Sequence, residues 1–186
     1  YAKNDIEAHG TVIVKAGSLL GKAVSGEDGK AVFTQDLPFG EYYIKELAAP
    51  NGYVFSDEVL EVKAEYQGQE VKVVQLSSVL KNQPTKVVVS KSDLTTGVEL
   101  SGATLTVLDK DGNVVDTWKS VKGEQHMIER LTVGETYTLR EEIAPYGYLK
   151  AEEVTFTIED TGEIQKVEMK DDVPTGTIII NKNGEF

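Results

Sequence analysis

The sequence predicts an all-β protein built from two tandem immunoglobulin-like β-sandwich domains. Three observations predict this. Apolar residues alternate over short runs such as TKVVVSK, GATLTVLD, EVTFTIED and QKVEMKD, and a period of two belongs to strands with one buried face. Gly and Asp turn signals separate these runs at intervals of roughly ten residues, as in all-β sandwiches. Finally, the stretch YYIKELAAPNGY (Tyr42–Tyr53) returns 95 residues later as YTLREEIAPYGY (Tyr137–Tyr148). A chain of 186 residues accommodates two such domains of about 80–90 residues each.

Taken in chain order, the first domain covers residues 1–83 and contains a hairpin signal, Asp28-Gly29, in EDGKAVF. Asp-Gly is the residue pair that a two-residue hairpin turn favours. Pro84, in KNQPTKVVV, interrupts strand pairing and opens the second domain, residues 84–175. That domain has its own Asp-Gly signal at Asp111-Gly112. A second boundary of the same form, Pro174-Thr175 in KDDVPTGTIIINK, starts a further unit at residues 176–186. This last piece reads as the first strand of a following domain, so the chain looks like a segment of a tandem array.

Composition excludes several functions. The formal net charge of −12 disfavours nucleic acid and anionic membrane surfaces as partners. There is no cysteine, hence neither disulfides nor thiolate chemistry. No run of 18 apolar residues suggests membrane insertion, and no targeting segment is recognisable.

Strand alternation then assigns faces. Val87, Val89 and Lys91 share one face, and so do Val167, Met169 and Asp171. Tyr137, Leu139 and Glu141 share a third. A lysine and two carboxylates therefore close three otherwise apolar faces. Burying all three charges unpaired would be prohibitive. Burial lowers a lysine pKa and raises those of carboxylic acids. A neutral amine is a nucleophile, and a protonated Glu can hydrogen-bond a carbonyl and move protons. The product would be an amide between Lys91 and Asp171. The same residues also read as a solvated lysine, a turn-capping aspartate and a glutamate paired with a nearby base.

These motifs resemble the Cna-B or SpaA-type isopeptide-forming domain of Gram-positive surface adhesins and pilins. KSDLTTGVELSGATLTV resembles the family's first two strands, YTLREEIAPYGY its E-box, and VEMKDD its last strand. The resemblance implies Lys91 as amine donor, Asp171 as acceptor and Glu141 as catalytic proton shuttle. One departure is the pair Asp171-Asp172, which leaves one residue more than usual before Pro174. Alternation favours Asp171. The resemblance further implies an extracellular, cell-wall-attached protein without cofactor, whose only chemistry is the single-turnover formation of its own cross-link.

In the first domain Glu46 matches the E-box position and Asn82 the acceptor position. The first strand, with its lysine, is absent: Lys91 precedes Glu141 by 50 residues, and counting 50 back from Glu46 passes residue 1. The far end offers a strand of the right kind, with Ile178, Ile180 and Lys182 on one face. An incomplete sheet accepts an added strand, so head-to-tail donation between copies, joining Lys182 to Asn82, is expected.

His9 and His126 stand alone and read as surface residues, with no metal-ligand cluster beside them. Asp109–Asn113 lacks the rest of a calcium loop and reads as a hairpin turn. Structural stalk modules, partnered by neighbouring repeats, are thus the leading expectation. The competing one is a module binding a host protein or glycan, for which Trp118 and the tyrosines would provide a surface.

Overall fold

A computed structural model describes residues 1–71 and 74–181. Among them no helix forms; eleven strands do. They fall into two compact units, one of Tyr1–Ala49 with Phe55–Asn82, the other of Pro50–Val54 with Gln83–Phe186.

The second unit is a sandwich of two sheets. Its strands are β5 (Lys86–Asp93), β6 (Thr104–Leu108), β7 (Val114–Lys119), β8 (His126–Glu129), β9 (Thr136–Ile143), β10 (Val154–Thr157) and β11 (Ile164–Asp171). One sheet has the order β10-β9-β6-β7, the other β11-β5-β8. Both sheets contribute to a single core: Val87, Val89, Ile128, Val167 and Met169 meet Leu105, Val107, Tyr137 and Leu139. The alternation read from the sequence is the cause, because each of these strands turns every second residue inward. β5 lies between two neighbours and is buried along nearly all its length, so its run of three valines needs no polar face.

β5 and β11, the first and last strands of this unit, run parallel and side by side, with Met169 opposite Lys91 and Asp171 opposite Asp93. Parallel neighbours cannot be joined by a tight turn. Here the whole intervening domain connects them.

The first unit holds β1 (Ile6–Ala8), β2 (Thr11–Val14), β3 (Gly40–Lys45) and β4 (Val59–Ala64). β1 and β2 form a hairpin closed by His9 and Gly10, both with positive φ, 51° and 77°. That is the backbone a two-residue type I′ turn demands. β3 pairs with β4 as β9 pairs with β10. Its buried core is smaller, comprising Ala2, Ile6, Tyr42 and Ala64.

Only one sheet of the sandwich has counterparts in this unit. Among its described residues nothing stands in the place of β5, and the stretches corresponding to β8 and β11 (near Ala31–Thr34 and Gln75–Asn82) are not strands. The expected strand after Asp28-Gly29 is accordingly missing. The physical reason is the sheet order: β5 is the central strand of its sheet, so without it both neighbours lose their hydrogen-bond partner.

Candidate functional site

The second unit brings Lys91, Glu141 and Asp171 together. Lys91 comes from β5, Asp171 from the end of β11 and Glu141 from β9 in the opposite sheet. Lys91 is 2% exposed, Asp171 1% and Glu141 0%. The Lys91 Nζ donates to Asp171 Oδ1 and lies 3.0 Å from Glu141 Oε1. Asp172, the neighbour that alternation turned outward, is exposed.

The electrostatics follow from the count of charges. Fully ionised, the site would hold one cation and two anions away from water, an arrangement with a large desolvation cost. Burial pushes the Asp171 carboxyl above its ordinary range. The hydrogen bond and charge of Lys91 pull it down, while the charge and hydrogen bond of Glu141 push it up again, and the upward causes win. Glu141 Oε1 is held by its ion pair with Lys91, while Asp171 Oδ2 is buried with no hydrogen-bond partner.

The main chain positions the site. Glu141 Oε2 accepts a hydrogen bond from the Ala151 amide at 2.7 Å, which fixes the carboxyl in one orientation. The Lys91 amide donates to Glu99 Oε2 at 3.0 Å, and the Leu100 amide donates to the Lys91 carbonyl at 2.7 Å. At the rim the Tyr148 hydroxyl donates to Asp93 Oδ2 at 2.9 Å. Asp93 is held below its ordinary carboxylate range by the amide and hydroxyl of Thr96 and by Tyr148, and the same contact raises the Tyr148 phenol.

The first unit repeats this geometry in part. The Asn82 amide nitrogen donates to both Glu46 oxygens at 2.9 Å, and the Ser56 amide donates to Glu46 Oε2 at 2.8 Å. Ser56 follows Glu46 by ten residues, as Ala151 follows Glu141. The two E-box carboxylates are thus held by the same backbone donor. Sequence reading missed both donors, although the 95-residue offset would have paired them. Burial differs: Glu46 and Asn82 are only partly covered. Ile44 is 47% exposed where its counterpart Leu139 is 0%. Lys182 lies outside the described residues, and Ile178 and Ile180 are exposed.

The remaining candidates resolve as structural. His126 Nε2 lies 2.7 Å from Asp116 Oδ2, and its ring stacks on Trp118 at 4.1 Å. Asp109 Oδ1 accepts from the Asp111 and Asn113 amides at 2.9 and 2.8 Å, closing the β6–β7 turn. No cluster of potential metal ligands occurs among the described residues.

Comparison with known proteins gives a consistent picture. No curated protein matches the chain. Among solved structures, the Bacillus anthracis TIE protein is 30% identical with a TM-score of 0.53, over 81% of this chain and 28% of that one. A C-terminal fragment of the pilus adhesin SpaC from Lactobacillus rhamnosus GG is 18% identical with a TM-score of 0.47, over 81% and 84% of the two chains. A streptococcal ancillary pilin is 26% identical with a TM-score of 0.41, over 80% and 49%. The chain therefore spans little more than a quarter of the TIE protein. The family model for the SpaA prealbumin-like fold domain matches twice, at residues 5–77 and 85–173. With nearly its whole length covered by two successive matches, the chain belongs to the SpaA prealbumin-like fold domain family.

Proposed function

We propose that the chain is a pair of structural modules from a pilin- or adhesin-type protein on the outer surface of a Gram-positive bacterium. Its second domain would staple its first strand to its last by an amide between Lys91 and Asp171. The buried contact of Lys91 with Asp171 and Glu141 carries this reading. For the reaction, one proton passes from the Lys91 ammonium to the Asp171 carboxylate by way of Glu141. The freed amine attacks Asp171 Cγ, and Glu141 takes a second proton from the attacking nitrogen and returns it to the departing hydroxyl. A C–N bond forms, a C–O bond breaks, and one water leaves. Two charged groups become a neutral amide, which relieves the desolvation cost, and no turnover follows.

The consequence is mechanical and thermodynamic. The staple encloses 80 residues of separation. By analogy with a disulfide loop of that size, it constrains the unfolded chain by about 4–5 kcal/mol. Tension entering along β5 would cross to β11 without loading the strands between them. A chain with no cysteine gains in this way a cross-link that reductants do not open.

Intact mass tests the reading. Condensation of an amine with a carboxylic acid removes about 18 Da, and peptide mapping should recover the Lys91 and Asp171 segments joined. Their recovery as separate, unmodified peptides would refute the cross-link.

The first domain extends the proposal. An added strand would cover Ile44 and restore the missing sheet, bringing a lysine to Asn82. Asn82 already rests its amide nitrogen on Glu46, the group placed to protonate departing ammonia. The segment with Ile178, Ile180 and Lys182 has the required alternation in sequence.

A further inference from the structure

The turn after each E-box strand occurs twice, with its glycine buried once and exposed once. In Pro50–Val54, the Tyr53 amide donates to the Pro50 carbonyl at 3.1 Å and the Val54 amide to the Gln83 carbonyl at 2.8 Å. In Pro145–Leu149, the Tyr148 amide donates to the Pro145 carbonyl at 3.1 Å and the Leu149 amide to the Asp172 carbonyl at 2.9 Å. Gly52 and Gly147 both take left-handed φ, 82° and 89°. The backbone is the same.

The surroundings are not. Pro50–Val54 belongs to the second unit, with Gly52 buried and Pro50 and Asn51 exposed. The Thr85 amide donates to the Gly52 carbonyl at 3.1 Å, and the Arg130 amide to the Thr85 carbonyl at 3.0 Å. The Thr85 side chain is fully buried, with its hydroxyl on the Leu131 carbonyl at 2.6 Å. Arg130 itself has a positive φ of 65°, and its guanidinium lies 5.6 Å from the centre of the Tyr53 ring. A Cβ on Gly52 would stand 2.6 Å from the Arg130 carbonyl oxygen. Gly147 is exposed and has nothing within 4 Å of the same point.

We propose that Pro145–Leu149 is a docking face for a further domain of this family, entered through Pro174–Thr175. The chain itself supplies the template. Pro174-Thr175 repeats Pro84-Thr85, and Asp172 already holds Leu149 as Gln83 holds Val54. Thr175 would take the place of Thr85, donating its amide to the Gly147 carbonyl. A residue of the docked domain would close over Gly147 as Arg130 closes over Gly52. Glycine at 147 is then required twice, by its left-handed backbone and by the approach of a second backbone. This inference rests on the reading of the chain as tandem modules.

The test compares the chain with a version in which residues 86–186 are repeated once after Thr175. Hydrogen exchange at the Thr175 amide should slow at least about tenfold in the longer chain, as expected for an amide protected by docking. Gly147→Ala should lower the melting temperature of the longer chain more than that of the original. An equal rate of exchange in both lengths, with an appended copy that carries its own mass loss, would overturn docking while leaving the staple intact. An appended copy that never staples, while the original domain does, counts against docking too, since the face then fails to support its domain. Loss of mass in neither copy, with Thr175 protected, would instead overturn the staple alone.

Discussion

At the scale of single residues, Glu141 is the informative one. A carboxyl with 0% exposure costs several kcal/mol unless it is neutral or paired, and here it faces both an amine and a second carboxyl. A purely structural role would need only the ion pair with Lys91. A catalytic role needs a proton that can be given and taken back. Substitution separates the two. Glu141→Gln keeps the shape and the hydrogen bond from the Ala151 amide but cannot shuttle a proton, so the protein should fold and retain its full, uncondensed mass. Glu141→Ala should behave likewise with a lower melting temperature, having lost the staple's about 4–5 kcal/mol. Condensed mass in either variant would show that Glu141 is not the catalyst. The carboxyls and the lysine were readable in the sequence because alternation alone sets their face. The Ala151 and Ser56 amides were not, since a backbone donor leaves no mark in the residue type.

At the scale of elements, the repeat of β9 as β3 is a natural experiment in burial. The two strands share a pattern, yet Leu139 is enclosed by two sheets while Ile44 faces a place where one sheet is lacking. Identical alternation thus predicts which face is inward without revealing whether anything covers it. Denaturant unfolding should show the difference. Leu139→Ala should cost about 2–5 kcal/mol, the range for a large aliphatic side chain removed from a closed core. Ile44→Ala should cost within about 0.5 kcal/mol, as at ordinary surface positions. Comparable losses at both positions would mean that the first domain is closed by something in solution. The same logic explains the strand expected near Val32. Its β-preferring residues are real, but a strand needs a hydrogen-bonded neighbour, and the counterpart of β5 is not among the described residues of that unit. Local pattern was legible, and the partner was not.

At the scale of the whole molecule, the two ends of the sequence carry complementary features. The first unit sets Asn82 on the Glu46 carboxylate, near the exposed Ile44 of β3, and the tail offers alternating isoleucines followed by Lys182. Exposed Ile178, Ile179 and Ile180 cost solubility unless a partner sheet takes them up, and strand addition supplies main-chain hydrogen bonds as well as burial. When the strand comes from a second copy, the contact joins unlike surfaces, so it propagates along a row and does not close as a dimer. Condensation of Lys182 with Asn82 would make that row covalent, with ammonia leaving from the nitrogen that now rests on Glu46. Denaturing gels of concentrated protein should then show a ladder of multimers, each junction lighter by about 17 Da from the amine displacing ammonia. Lys182→Ala and Asn82→Ala should each abolish the ladder and leave the Lys91–Asp171 staple unchanged. A single monomer band from the unaltered chain would rule out the covalent junction, and an unaltered Ile178 and Ile180 exchange rate on concentration would rule out the strand addition beneath it.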